Sequence, residues 1–253
     1  MSMAIITGAS SGLGREFVRA VLEQRAEIDE FVLIARRRER MEALAANMPG
    51  KKVTILALDL AAASSHETLA RFLKERQPDV RLLVNNAGYG VLGDMADGDV
   101  PSQVGMVTLN CGALTALCTL VSPYMKAGSA IINVSSIASF VPTPRMAVYG
   151  ATKSFVASLS RALREELKKR GVNVLALCPA PMDTEFLDVA GISGGHSKTF
   201  DTLPHISAAL AADGAVRQAF RGKAVYTPTF FYKFYRVLAK LLPHAWLIKL
   251  TKC

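Results

Sequence analysis

Short apolar runs alternate with helical patterns along most of the chain. Strand-like runs lie at 4–7, 31–35, 53–58, 82–84, 130–134 and 172–177, with a brief one at 224–226. The patterns between them have the 3.6-residue period of helices, the longest at 101–126 and 148–170. A strand that is apolar on every side has no face to give to water, so a sheet of such strands must be covered on both faces. Strands of this kind separated by helices specify an α/β fold with a parallel sheet. Right-handed crossovers then make it doubly wound, about seven strands with helices on both faces, and ligands sit at the carboxyl ends of the strands. No internal repeat or low-complexity linker interrupts the pattern, so a single domain is expected.

The last stretch of the chain reads differently. On a helix, Phe230, Phe231, Phe234, Tyr235, Leu238, Leu241 and Leu242 form one broad stripe, with Lys233, Arg236 and Lys240 opposite. Residues 222–253 hold six Lys/Arg and no Asp/Glu, two-thirds of the formal net charge of +9. Residues 1–227 are therefore read as the α/β domain and 228–253 as a basic amphipathic helical extension. Aromatic groups beside cations suit a helix lying on an anionic membrane. The same stripe would equally serve to pack on the domain or on a second subunit. Elsewhere the basic residues are scattered, apart from 36–38, and no nucleic-acid motif occurs, so no nucleic-acid partner is expected.

Composition adds little further. Of 253 residues, 51% are hydrophobic, enough for a sizeable core. No uninterrupted apolar run approaches a membrane span, and the chain goes directly into a strand, leaving no room for a signal peptide. A cytoplasmic location is expected. Cys111, Cys118, Cys178 and Cys253 have neither Cys-x-x-Cys spacing nor histidine partners. Free thiols and no metal site are the reading.

The candidate chemistry centres on Tyr149 and Lys153. At i and i+4 on a helix they share one face, one turn apart, and Ser136 precedes the tyrosine by thirteen positions. A phenol, an ammonium and a hydroxyl could thus act on one carbonyl or alcohol. At the other end of the chain, an apolar run breaks into Thr7-Gly-Ala-Ser-Ser-Gly-Leu-Gly14 and continues as a helical pattern. Gly8 permits a tight turn and Gly12 lets the backbone approach a pyrophosphate. The following helix N-terminus offers its unpaired N–H groups to the anion.

Together these segments resemble the short-chain dehydrogenase/reductase family, over roughly residues 3–190. Thr7 to Gly14 is similar to the family's cofactor loop, Asp59-Leu60 follows the third strand, and Asn85-Asn-Ala-Gly88 matches the motif after the fourth. Asn110 falls where the family carries an active-site asparagine, and the run from Ile131 ends on the expected Ser136. The resemblance implies a single-domain Rossmann fold and the catalytic set Asn110, Ser136, Tyr149 and Lys153. Cofactor contacts are implied for Gly8, Ser10, Ser11, Gly12, Leu13, Gly14, Arg36, Asp59, Leu60, Asn86, Ala87, Gly88, Tyr149, Lys153, Pro179 and Thr184. It further implies that Asn110 fixes a water linking Lys153 to solvent, and that Thr184 binds the nicotinamide carboxamide. Ala180 replaces the family's usual glycine; if that backbone needed positive φ, alanine would cost roughly 1 kcal/mol.

The second strand runs into Arg36-Arg37-Arg38, where an NAD enzyme usually offers an acid to the ribose 2′-hydroxyl. Guanidinium groups instead fork onto a 2′-phosphate, and the family's pattern puts NADP(H) against Arg36. At least one of the three simply begins a helix. An unperturbed phenol has a pKa of roughly 10; Lys153 and the oxidised nicotinamide are expected to lower that of Tyr149. The substrate is expected to be a hydrophobic small-molecule ketone or alcohol, steroid- or lipid-like, beside Phe140, Val141, Met146, Phe186 and Leu187. A lid is expected over 184–212, with a glycine-rich segment at 191–198. His196 and His205 are read as solvated loop residues. A homodimer or homotetramer is expected from the family's habit. The rival reading is a cofactor-binding regulatory protein with the same fold and no turnover.

Overall fold

A computed structural model of the chain describes residues 1–192, 200 and 202–251. Its seven strands are β1 (Ser2–Thr7), β2 (Glu30–Ala35), β3 (Lys52–Ala57), β4 (Asp79–Asn85), β5 (Met125–Val134), β6 (Asn173–Leu177) and β7 (Val225–Tyr226). They form one sheet in the order β3-β2-β1-β4-β5-β6-β7, and every pair is parallel. Order reverses between β1 and β4, which opens a crevice at their carboxyl ends.

Alternation along the strands divides the core in two. Ala4, Ile6, Phe31 and Leu33 face Phe17, Val18 and Val21 of α1 (Gly12–Gln24) and Ala211, Ala215 and Val216 of α8 (Ala208–Phe220). Met3, Ile5, Val32 and Ile34 face the opposite layer. There they meet Leu69 and Leu73 of α3 (Ala63–Arg76), Leu117 and Val121 of α5 (Leu114–Val121), and Val156 of α6 (Ala147–Lys168). Each of these side chains larger than alanine contributes about 1.5–3 kcal/mol by leaving water.

The structure departs from the sequence reading in several places. The helix expected over 101–126 runs from α4 (Val100–Val107) through a π-helical stretch, Thr108–Ala113, into α5, then ends in a 3₁₀ turn containing Pro123. The π stretch carries Asn110. Val100–Tyr124 as a whole is long and apolar enough to cross a membrane, although no such span was expected. The apolar side of α5 lies in the core, where Leu114, Leu117 and Val121 are buried.

The lid expected over 184–212 also changes. Residues 208–212 belong to α8, where Ala211 and Ala212 are fully buried in the layer that contains α1, because alanine side chains let two helices approach closely. Ser207 caps this helix, its Oγ accepting from the Leu210 amide at 3.1 Å. Residues 193–199, including His196, lie outside the described residues, as does Cys253; Cys111, Cys118 and Cys178 are free thiols. A further contact has no counterpart in the sequence reading. Glu30, 1% exposed, accepts two bonds of 2.8 Å from Arg76 and one of 2.8 Å from Thr54 Oγ1.

The C-terminal helix α9 (Phe230–Leu241) forms, and the stripe is divided, Tyr235 and Leu238 turning to the interior cleft and the rest exposed. Tyr232 and Ala239 are buried, whereas Phe230, Phe234, Val237 and Leu241 are exposed. Tyr232 donates its hydroxyl to the Pro204 carbonyl at 2.8 Å, so a nominally polar tip secures the inner face. The extension is thereby part of the same body as residues 1–227.

Candidate active site

The crevice is a cleft of ≈ 960 Å³ running from Arg36 and Asp59 at one end to Tyr235 and Leu247 at the other. At its floor, Gly8 and Gly12 adopt φ of +66° and +47°, a conformation open to glycine. A Cβ on Gly14 would stand 2.0 Å from the Gly8 carbonyl oxygen, so the turn can pass into α1 only without a side chain there. Ser11 precedes α1 without capping it, leaving the first N–H groups of the helix free for an anion. Thr7 ties this loop to the end of β4: its Oγ1 accepts from the Asn86 and Ala87 amides at 2.9 and 3.0 Å. Asn86 returns a bond to the Thr7 carbonyl at 3.0 Å.

Ser10, Ser11, Leu13, Leu60, Ala87, Gly88, Pro179 and Thr184 line the cleft with the glycines. Thr184 closes over the loop, since a Cβ on Gly12 would lie 3.2 Å from Thr184 Cβ. Ala180 is not among the positive-φ residues, so alanine there carries no backbone strain. A glycine floor, free helix amides and a cleft of this size fit a dinucleotide.

The three arginines separate. Arg36 lines the cleft and has no ion-pair partner among the described residues. Arg37, which was not singled out from sequence, also lines it and donates to Ser10 Oγ at 3.4 Å and to Glu185 at 2.9 Å. Arg40 pairs with the same carboxylate, and the two guanidinium groups hold Glu185 below the usual carboxylate range. Arg38 begins α2 (Arg38–Ala45) and, among the described residues, pairs with Glu42, at 3.7 Å. Asp59 accepts from the Ala61 amide at 3.0 Å, beside the start of α3.

Tyr149 and Lys153 project from α6 into the middle of the cleft, 8% and 6% exposed. Lys153 Nζ lies 5.6 Å from the centre of the Tyr149 ring and donates to the Val134 carbonyl at 2.9 Å. The Ser136 hydroxyl is within hydrogen-bonding reach of the phenol and also accepts from the Ala138 amide at 3.1 Å, capping a 3₁₀ turn. Ser135 anchors α6 by donating to the Lys153 carbonyl at 2.7 Å.

The sequence expectation for acidity is not met by the chain alone. Burial pushes the Tyr149 phenol up to about 12, against which Ser136 acts, and pushes the Lys153 ammonium down to about 8. Buried, each group resists its charged form, and Ser136 alone opposes that for the phenol. A lowered phenol therefore requires the positive charge of the oxidised nicotinamide as well.

Asn110 is buried, and both its amide hydrogens are spent: Nδ2 donates to the Tyr89 carbonyl at 2.9 Å and to Thr152 Oγ1 at 3.1 Å. Its Oδ1 accepts from the Tyr89 amide at 3.1 Å. The side chain thus braces the loop after β4 against α6. Gly88 fits between the groups, a Cβ there coming 2.7 Å from Asn110 Oδ1 and 3.6 Å from Lys153 Nζ. Behind the site, Asn85 donates to Asn133 Oδ1 at 2.8 Å and Asn133 to Ser160 at 3.0 Å, a buried link between β4, β5 and α6.

Beyond the tyrosine the cleft is apolar, with Tyr89, Met146, Phe186, Leu187, Phe231 and Tyr235 among its walls. Phe140 and Val141, expected here, pack instead with Tyr235, Ala239 and Leu247 beneath the C-terminal helices. The Tyr149 ring meets Phe186 at 5.6 Å. His205 pairs with Asp183 at 2.6 Å and lies off the cleft.

Comparison with known proteins agrees with this geometry. The model of the short chain dehydrogenase family matches residues 2–191. A sulfoacetaldehyde reductase of Chromohalobacter salexigens is 36% identical over 220 residues, 85% of each chain. A short-chain dehydrogenase of Sphingobium yanoikuyae, solved with NADPH, superposes with a TM-score of 0.82 at 30% identity, covering 98% of this chain and 96% of its own. The bulky-bulky ketone specific alcohol dehydrogenase of Comamonas testosteroni gives 0.77 at 27%, covering 98% and 94%.

Proposed function

The chain belongs to the short-chain dehydrogenase/reductase family of nicotinamide-dependent oxidoreductases, and from that premise we propose that it is an NADP(H)-dependent ketoreductase/alcohol dehydrogenase for a hydrophobic secondary alcohol or its ketone. The observation that carries this reading is the convergence of Tyr149, Lys153 and Ser136 in one cleft, between a pair of arginines and an apolar wall. Gly8, Gly12, Gly14 and the amides of α1 would hold the pyrophosphate. Arg36 and Arg37 would take a 2′-phosphate, and Lys153 the nicotinamide-ribose hydroxyls. When bound, the nicotinamide exchanges a hydride with the substrate carbon.

This chain's own residues handle the oxygen. The Tyr149 hydroxyl donates its proton to the ketone oxygen, or accepts it back from the alcohol. Ser136 donates a hydrogen bond to the same oxygen and orients it. Lys153 stabilises the phenolate left behind, an interaction strengthened by the burial of both groups. Asn110 acts through Tyr89 and Thr152 as a positioning residue. The apolar end supports a bulky hydrophobic substrate, and the sulfoacetaldehyde reductase relative is a reminder that the family also reduces small polar carbonyls. A family-type oligomer belongs to the same reading, supported by exposed Val104, Val107 and Phe155 on the long helices.

The test is a panel of hydrophobic and polar ketones followed by NADPH absorbance. Tyr149→Phe should still bind NADPH while losing about 10²–10⁴ of turnover. Arg36→Asp/Arg37→Ala should weaken NADPH far more than NADH. A protein that binds NADPH and turns over nothing on the panel would be a cofactor-binding regulator instead.

A further inference from the structure

Helix α9 presents two apolar faces. Its inner face, with Tyr232, Tyr235 and Leu238, forms one wall of the cleft. Its outer line, Phe230, Phe234, Val237 and Leu241 at i, i+4, i+7 and i+11, is covered by none of the described residues. These four are 82%, 54%, 49% and 74% exposed, and Trp246 on the following helix is 66% exposed. Leaving so much aromatic surface in water is unfavourable unless something covers it. Beside the line stand Lys233 and Lys240, with Lys249 beyond, all exposed. No acidic residue occurs between 222 and 253.

Charge decides between the occupants. A two-fold contact through this face would bring two copies of a segment that holds cations and no acid against one another, which Coulomb repulsion disfavours. An anionic bilayer supplies the missing sign, and its interface accepts aromatic rings and lysine heads at adjoining depths. We propose that the outer face of α9, together with Trp246, docks this protein on an anionic lipid surface. Docking sets the apolar end of the cleft beside the acyl region, because Phe231 is half exposed and also lines the cleft. A lipid-soluble substrate would then reach Tyr149 without crossing water. The docking stands independently of turnover, and its failure would leave reduction of soluble ketones untouched.

Trp246 is the only tryptophan and reports directly on the contact. Vesicles of phosphatidylglycerol and phosphatidylcholine should sediment with the full chain and shift its fluorescence to the blue; pure phosphatidylcholine should do so far less. A lysine near an anionic surface is worth about five-fold in partitioning, so Lys233→Glu/Lys240→Glu should weaken binding roughly 25-fold or more. Phe230→Ser/Phe234→Ser should abolish the blue shift while turnover of soluble ketone persists, which shows the fold is intact. No sedimentation of the wild type with anionic vesicles overturns the proposal. So does equal binding to neutral vesicles, and so does a loss of oligomer mass in Phe230→Ser/Phe234→Ser without any vesicle binding, which would assign the face to a second copy.

Discussion

Replacing Lys153 with methionine should make this protein more stable at neutral pH while removing its activity. Lys153 is 6% exposed; it donates one hydrogen bond of 2.9 Å to the Val134 carbonyl and stands 5.6 Å from the Tyr149 ring centre, with no carboxylate paired to it among the described residues. Burial lowers its pKa from the ordinary 10.5 to about 8. Each unit is worth about 1.4 kcal/mol, so keeping the ammonium protonated at pH 7 costs the folded state about 3 kcal/mol. Methionine has similar length and no charge. It leaves the Val134 carbonyl unpaired at about 1–2 kcal/mol, so the variant should gain about 1–2 kcal/mol. The sign of the pH dependence follows from proton counting. Unfolded chain keeps the lysine proton up to 10.5, folded chain only up to about 8. Between those values the unfolded state binds more protons, so rising pH favours folding of the wild type and leaves Lys153→Met indifferent through this group. Below pH 8 the wild type carries the full penalty. Tyr149, pushed up to about 12, stays protonated throughout that window in both proteins. Urea unfolding followed by circular dichroism at pH 7 and pH 10 should show the variant's advantage gone or reversed at pH 10, the wild type having gained about 2.5 kcal/mol through this group. A variant less stable than wild type at pH 7, with a difference that does not change with pH, would refute the reasoning and mean that the buried ammonium is well paired. NADPH-linked turnover of the variant should fall at least 100-fold.

Two further changes separate structure from catalysis. Arg76→Ala would strip the bidentate partner from Glu30, leaving only Thr54 and a lysine at 3.8 Å around a carboxylate that is 1% exposed. A loss of about 3 kcal/mol and a drop of roughly 6–12 °C in Tm are expected by calorimetry. Gly90→Ala would place a Cβ 3.0 Å from Tyr149 Cδ2, 3.1 Å from Phe186 Cζ and 3.2 Å from Met146 Cε. Shifting the phenol by a few tenths of an ångström should lower kcat roughly three- to ten-fold, with the Kd for NADPH, measured by fluorescence titration, unchanged.

Much of the site was legible because its parts are local. Gly8, Gly12 and Gly14 state a backbone need within one turn, and the i, i+4 spacing puts Tyr149 and Lys153 on one face wherever α6 is found. Ser136 follows a strand whose apolar run is unmistakable, so its place at a carboxyl end follows too. Arg37 was within sight in the triple arginine, but nothing local tells which guanidinium of three neighbours turns into the cleft. Nothing local marks Glu30 as buried, because its partners Arg76 and Thr54 are 46 and 24 positions away. The π-helical stretch around Asn110 has no periodic signature short enough to separate it from the α-helix it interrupts.

The period of hydrophobic residues, the glycine turns and the short-range spacing of reactive groups determined the elements and named the chemistry, since each depends on neighbours within a few residues. Tertiary structure alone decided which face of an element is covered. Phe140 and Val141 left the expected pocket to pack under α9. That helix, whose stripe left membrane, domain and second subunit all open as its cover, turned Tyr232 inward and Phe234 outward. A helix can bury only the face that meets another surface, and that surface is assembled from residues far away in the chain.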